Sequence, residues 1–140
     1  MKNSENKTVR LTSHTDARGS LIAIESKRDI PFVIKRAFVI TNVPAHAERG
    51  AHAFAHNEFA LCLRGSCSIR ISDGSEESTF TLDSPDTGLL IPGMTWRTLY
   101  GFSPDCILFV LSDALYDPED CIDDYDAFLG RIGKTEEPAV

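Results

Sequence analysis

The 140-residue sequence contains no apolar run long enough to cross a bilayer, which excludes a membrane-spanning helix as its organising element. Its opening, "MKNSENKTVR", is polar and has no apolar segment, so it does not read as a signal peptide, and the expected location is cytoplasmic. Basic residues are outnumbered, and a net charge of −7 argues against nucleic acid as a partner, because binding a phosphate backbone needs a basic surface. It leaves room for one small anionic ligand in a locally basic pocket. No CxxC pair occurs among the four cysteines, so neither a zinc ribbon nor a thioredoxin-type site is indicated. Cys62 and Cys106 stand in apolar strand-like runs and read as buried thiols rather than as a disulfide. No internal repeat or low-complexity segment stands out.

What is present is a series of short β-rich runs, from "VRLTSH" through "FALCLRG" and "CSIRISDG" to "CILFVLSD", punctuated by turns such as "SDGS", "DSPDTG" and "FSPD". This spacing predicts an all-β sandwich or barrel. In "SIRISDG", Ile69 and Ile71 alternate with Arg70 and Ser72, as in a strand with one buried face, whereas "CILFVLS" is apolar throughout, as in a strand buried on both. A helix is predicted only near the end, in "DPEDCIDDYDAFLGRIG". Asp117 caps it, Pro118 takes its first position, Cys121, Tyr125 and Phe128 recur at helical spacing, and Gly130 and Gly133 end it. The predicted organisation is a flexible N-terminus over 1–8, one domain over 9–133 and a loose tail over 134–140.

The stretch "RGAHAFAHNEFALCLRG" carries His52, Phe54 and His56 at alternate positions, on one face if it is a strand. With Glu58 and Gly65, His52 and Phe54 follow the spacing of the first cupin motif, with Phe54 in place of its second histidine. Gly88, Pro92 and Arg97 follow the second motif, with Arg97 in place of its histidine. Arg97 stays protonated and cannot ligate, so two of the four cupin ligands remain, too few to hold a divalent ion tightly, and no metal is expected.

The strings "DARGSLIAIE", "PFVIKRAFVITNVP", "RGAHA", "CLRGSC", "TLDSPDTGLLIPGMTW", "FSPDCILFVLSDALYD" and "DYDAFL", in this order, make the chain similar to the sugar-nucleotide 3,4-ketoisomerases, small cupins that act on dTDP-4-keto-6-deoxyglucose. The resemblance implies a cupin-type antiparallel β-sandwich or jelly roll with a short C-terminal helix. It also implies a homodimer, no cofactor, a dTDP-linked keto sugar as ligand and a place in deoxysugar biosynthesis. The family's catalytic stretch RGxHAH is "RGAHAF" here. Glu58 stands where the family tends to have Gln, and Arg97 where it tends to have His.

Moving a keto group from C4 to C3 of a hexose requires a base for the C3 proton, an enediolate, and an acid for C4, work suited to a neutral imidazole with fixed charge nearby. His52 is the candidate base or shuttle. His56 is a candidate for a relocated second catalytic group, with a rim contact or a solvated loop residue as the other readings. Phe54 is a packing residue or an apolar wall for a sugar methyl group. Arg97 could face an enediolate, bind a hydroxyl, or pair with Glu58, the pairing a buried guanidinium demands. Arg18 and Arg49 are candidates for the diphosphate, and Trp96 and Tyr100 for stacking on base or sugar. The alternatives to an isomerase of this type are a nucleotide-sugar-binding cupin without turnover, an isomerase or epimerase for another nucleotide sugar, and a metal-dependent cupin enzyme.

Overall fold

The computed structural model describes residues 7–133. Eleven strands run in chain order: β1 (Thr8–Arg10), β2 (Ser13–Asp16), β3 (Gly19–Ile22), β4 (Arg36–Thr41), β5 (Arg49–His52), β6 (Glu58–Arg64), β7 (Cys67–Ser72), β8 (Glu77–Leu82), β9 (Thr87–Ile91), β10 (Trp96–Tyr100) and β11 (Ile107–Ser112). They form a five-stranded sheet of order β1-β9-β6-β11-β4 facing a four-stranded sheet of order β5-β10-β7-β8, while β2 and β3 form a separate hairpin. The paired strands are antiparallel, so the predicted all-β sandwich is the observed architecture.

Strand periodicity explains the two-sided burial of the larger sheet. Along β6, Ala60 and Cys62 point between the sheets to meet Ile69, Ile91, Leu99, Leu108 and Val110. Phe59 and Leu61 point the other way, where Leu11, Ile30 and Phe32 cover them. A central strand covered on both faces carries no wet positions, which is why "FALCLRG" and "CILFVLSD" read as nearly continuous apolar runs.

The C-terminal segment departs from the predicted continuous helix. Asp117 caps only a 3-10 turn (Pro118–Asp120), with its carboxylate accepting from the Glu119 amide at 3.0 Å. The chain is then drawn straight, because Ile122 pairs with Ala53 through two backbone hydrogen bonds of 2.9 and 2.8 Å. A second cap, Asp124, starts helix α1 (Tyr125–Arg131). Phe128 is fully buried, and Trp96 packs on Tyr125 and Phe128 with ring centroids 5.2 and 5.7 Å apart. At the other end, the predicted flexible segment 1–8 gives up its last residues: Thr8 pairs with Leu89, and the Lys7 carbonyl accepts from the Leu90 amide at 2.8 Å. The rest of that segment and the predicted tail 134–140 lie outside the described residues.

Candidate functional site

A cavity of about 310 Å³ opens between the two sheets. One wall comes from the larger sheet: Phe38 and Ile40 of β4, Glu58 and Ala60 of β6, Ile91 of β9 and Val110 of β11. The other comes from Gly50 and His52 of β5, Ile69 of β7, and Arg97 and Leu99 of β10. Arg36, Arg49, Tyr116 and Asp117 also line it.

A bulge in β5 aims His52 inward. His52 pairs with Arg97 and Gly50 with Thr98, so Ala51 is the extra residue, with φ +52°. Gly50 has φ +90°, and a Cβ there would lie 2.9 Å from Leu99 Cδ1 and 3.1 Å from the Arg97 carbonyl oxygen. Both the backbone sign and the close approach call for glycine. The strand ends at His52, so Phe54 and His56 are not its next inward positions but lie in the loop before β6. That loop folds the rings into a stack: His52 meets Phe54 edge-on at 4.5 Å, and Phe54 lies against His56 at 4.6 Å, with ring planes 21° apart. The Arg97 guanidinium sits 5.2 Å from the centre of the Phe54 ring, within cation–π range.

Beneath this stack lies a row of alternating charge. Asp120 accepts from His56 Nδ1 at 2.8 Å and from the Ala55 amide at 2.8 Å, and Glu58 meets His56 Nε2 at 2.9 Å. The other oxygen of Glu58 accepts from Arg97 Nη1, as the pairing expectation required. Arg97 Nη2 donates to the Thr95 carbonyl at 3.0 Å, and among the described residues the buried Nε has no partner. Arg97 is only 2% exposed and Glu58 only 5%. Two carboxylates and two cations thus cancel in a space where any single unpaired charge would carry a large desolvation cost.

The row sets the state of each imidazole. Burial works against a charge on His56, but the hydrogen bonds it donates to Glu58 and Asp120 outweigh it and hold the pKa above the usual histidine range. His52 is pushed the other way, by burial first and then by the Arg97 charge, so it is neutral near pH 7. Glu58 is kept below its ordinary range despite burial, by His56 and Arg97. As for a cupin metal, the donor set does not fit one: Glu58 and His56 are committed to each other, and a guanidinium stands at the remaining motif position.

His52, Phe54, His56, Glu58, Arg49 and Arg97 therefore meet at one cavity. Both ring nitrogens of His56 are occupied by carboxylates, which leaves it without the free nitrogen a direct proton carrier needs. The structure places the other candidate residues elsewhere in the chain. Trp96 alternates with Arg97 along β10 and so faces away from the cavity, packing α1 onto the sheet; Tyr100 shares its outward phase and lies 4.9 Å from the Arg70 guanidinium. Arg18 sits on the β2–β3 turn, its side chain 89% exposed and paired with Asp16 at 2.6 Å, outside the cavity of its own chain. Sequence reading missed Asp120, and also Arg36, whose guanidinium lies 4.6 Å from the Phe38 ring centre and 5.2 Å from that of Tyr116.

Comparison with known proteins agrees with this geometry. Residues 4–132 match the family model described as FdtA: WxcM-like, C-terminal. The chain is 41% identical over 131 residues to a TDP-4-oxo-6-deoxy-alpha-D-glucose-3,4-oxoisomerase from Aneurinibacillus thermoaerophilus, covering 93% of this chain and 94% of that one. Among solved structures, a 3,4-ketoisomerase from Helicobacter canadensis superposes with a TM-score of 0.88 at 36% identity, over 91% of this chain and 97% of the other. QdtA, a sugar 3,4-ketoisomerase from Thermoanaerobacterium thermosaccharolyticum solved in complex with TDP, does so with a TM-score of 0.86 at 36% identity, over 89% and 91%. With the fold, the cavity and these similarities in agreement, the chain belongs to the sugar-nucleotide 3,4-ketoisomerase family, the FdtA/WxcM-like cupins.

Proposed function

We propose that this protein isomerises a TDP-linked 4-keto-6-deoxyhexose to its 3-keto form without a metal, as a step in deoxysugar biosynthesis. The observation that carries the reading is His52: an imidazole aimed into the cavity and held neutral by burial and by the Arg97 charge. A neutral imidazole takes the C3 proton, and the electron pair moves into the C3–C4 bond as the C4 carbonyl becomes an enediolate oxygen. The buried positive charge of Arg97, fixed by Glu58 and the Thr95 carbonyl, favours that developing negative charge. Protonation at C4 and loss of the O3 proton then leave the carbonyl at C3, and the imidazolium formed at His52 is the nearest acid to return the proton. Phe54 gives the sugar an apolar wall, while Arg36 and Arg49 supply positive charge for the diphosphate.

A homodimer is part of the proposal. The β2–β3 hairpin joins neither sheet, and Leu21 on it is 60% exposed, as is 52% of Val39 on edge strand β4. Covering such surfaces with a second copy offsets their apolar exposure, and it gives Arg18 a route to a cavity its own chain denies it. Four free thiols fit a reducing, cytoplasmic compartment.

The test is incubation of the purified chain with TDP-4-keto-6-deoxyglucose in deuterated water, followed by NMR. The expected result is a 3-keto product with solvent deuterium at C4. If no product forms and the C3 proton does not exchange, with UDP- and GDP-linked keto sugars equally inert, the isomerase reading fails. Retained stabilisation by TDP would then assign the cavity to binding without turnover.

A further inference from the structure

A second cluster of reactive side chains lies in the intersheet core, and the proposed reaction does not use it. Cys62 on β6, Cys67 on β7 and Cys106, one residue before β11, are 5 and 44 positions apart from Cys62 in sequence, yet their sulfurs converge. Cys62 Sγ lies 3.7 Å from Cys67 Sγ and 3.6 Å from Cys106 Sγ, and all three lie within 4.8 Å of one another. The tight turn at Gly65 and Ser66, where the chain crosses from β6 in one sheet to β7 in the other, brings the first two together, and the β6–β11 pairing delivers the third. All three are free, and none is more than 4% exposed. Cys62 and Cys106 rest as neutral thiols. Hydrogen bonding with Cys67, then burial, raises the Cys62 thiol far above its ordinary range, and burial with the neighbouring Cys62 pushes Cys106 up to about 12.

We propose that these three thiols form a three-coordinate binding site for a trivalent thiophilic ion, with arsenite as its probe. Geometry admits the ion: thiolate bonds of about 2.3 Å at angles between about 95° and 120° place the sulfurs of a three-sulfur site about 3.4–4.0 Å apart, a range that holds both distances from Cys62, while the third pair lies within 4.8 Å. Charge selects its valence. Three thiolates around a cuprous ion carry two net negative charges, and around zinc one, in a core otherwise built of Ile69, Leu82, Phe102 and Leu108. A trivalent ion leaves none, so no uncompensated charge is buried. Zinc also prefers a fourth ligand in closed sites, and among the described residues no fourth His, Cys, Asp or Glu joins the cluster.

The binding step balances without an oxidant. Arsenite enters as the neutral trihydroxide, three As–S bonds form, three As–O bonds break, and the three thiol protons leave with the hydroxides as three waters. Arsenic stays trivalent. Two turns cover the cluster: the Ser66 amide donates to Ser103 Oγ at 2.9 Å, the Ser103 amide to the Ser66 carbonyl at 2.9 Å, and Ser103 Oγ to Asp105 at 2.8 Å. Local opening of these turns admits a small neutral oxyacid without parting the sheets.

The experiment is native mass spectrometry and thermal melting of the reduced, intact protein with sodium arsenite, and in parallel with zinc and with cuprous ion. The expected result is one adduct per chain, heavier by one arsenic atom less three hydrogens, and a raised Tm. Cys62→Ala, Cys67→Ala and Cys106→Ala are each expected to weaken binding by about 10²–10⁴-fold, since each removes one arm of a tridentate grip, and Cys121→Ala is expected to bind as the parent does. Should a core variant fail to fold, the adduct mass on the parent decides, because only a three-thiol site loses three hydrogens. No adduct, an adduct retaining any of those hydrogens, or uptake of zinc or cuprous ion in preference to arsenite overturns the proposal.

Discussion

The alternating row Asp120–His56–Glu58–Arg97 makes a prediction that depends on charge rather than shape, and Asp120→Asn tests it. The substitution keeps the side chain's size and leaves an oxygen that can still accept from the Ala55 amide, but it removes the negative charge 2.8 Å from His56 Nδ1. A hydrogen bond to a charged partner contributes about 1.5–3 kcal/mol, and His56 is 9% exposed at its side chain, so solvent replaces little of it. For a chain of this length that loss corresponds to a fall in Tm of about 5–10 °C. Its pH dependence is the sharper test. The pKa of His56 is raised on folding above the ordinary 6.5, so its contribution is fully present below pH 6.5 and disappears as pH rises through the folded value. The deficit of the variant should therefore be largest near pH 6 and shrink at alkaline pH. Circular dichroism melts of both proteins from pH 5.5 to 9 measure this. A variant that melts within about 1 °C of the parent at pH 6, or whose deficit does not change with pH, would refute the charged row as a stabilising element.

Three further outcomes follow from the same geometry. His52→Gln is expected to lower kcat by about 10²–10⁴-fold with little change in TDP affinity, and because the pKa of His52 is depressed from 6.5, the acid limb of kcat/KM in the parent should fall below that pH; a limb centred at or above 6.5 contradicts the assignment. Gly50→Ala forces an L residue into φ +90° against Leu99 and the Arg97 carbonyl, so a destabilisation of about 2–3 kcal/mol and a displaced His52 should appear together as a lowered urea midpoint and reduced activity. Trp96→Ala should cost about 3 kcal/mol of stability through the unpacking of α1, yet leave KM near that of the parent at temperatures well below the melt; a large rise in KM would return Trp96 to the ligand site.

The residues that proved legible in the sequence share one property: their environment is decided within a strand or a turn. Ile69 and Ile71 alternate because β7 has one face in the core, and "CILFVLS" is continuous because β11 is covered twice. The pairing of Glu58 with Arg97 was also within reach, since a guanidinium at a motif position that points into a barrel must find a carboxylate. What stayed hidden depends on contacts between distant segments. Asp120 touches His56 across 64 positions, and its neighbour Asp117 offers an equally good cap signal, so no local pattern separates the network acid from the capping one. The predicted helix over residues 117–133 failed for the same reason: the pairing of Ile122 with Ala53 draws the chain straight where composition favours a turn. The cysteines make the case most plainly. Ligand spacing in sequence gave no sign of a cysteine site because it counts residues along one segment, whereas Cys62, Cys67 and Cys106 meet through a crossing between the sheets and a strand pairing. A spacing rule can recognise a site that one turn builds. A site that sheet topology builds becomes visible only once register is known, and in this fold both His56's carboxylate clamp and the thiol cluster are of that second kind.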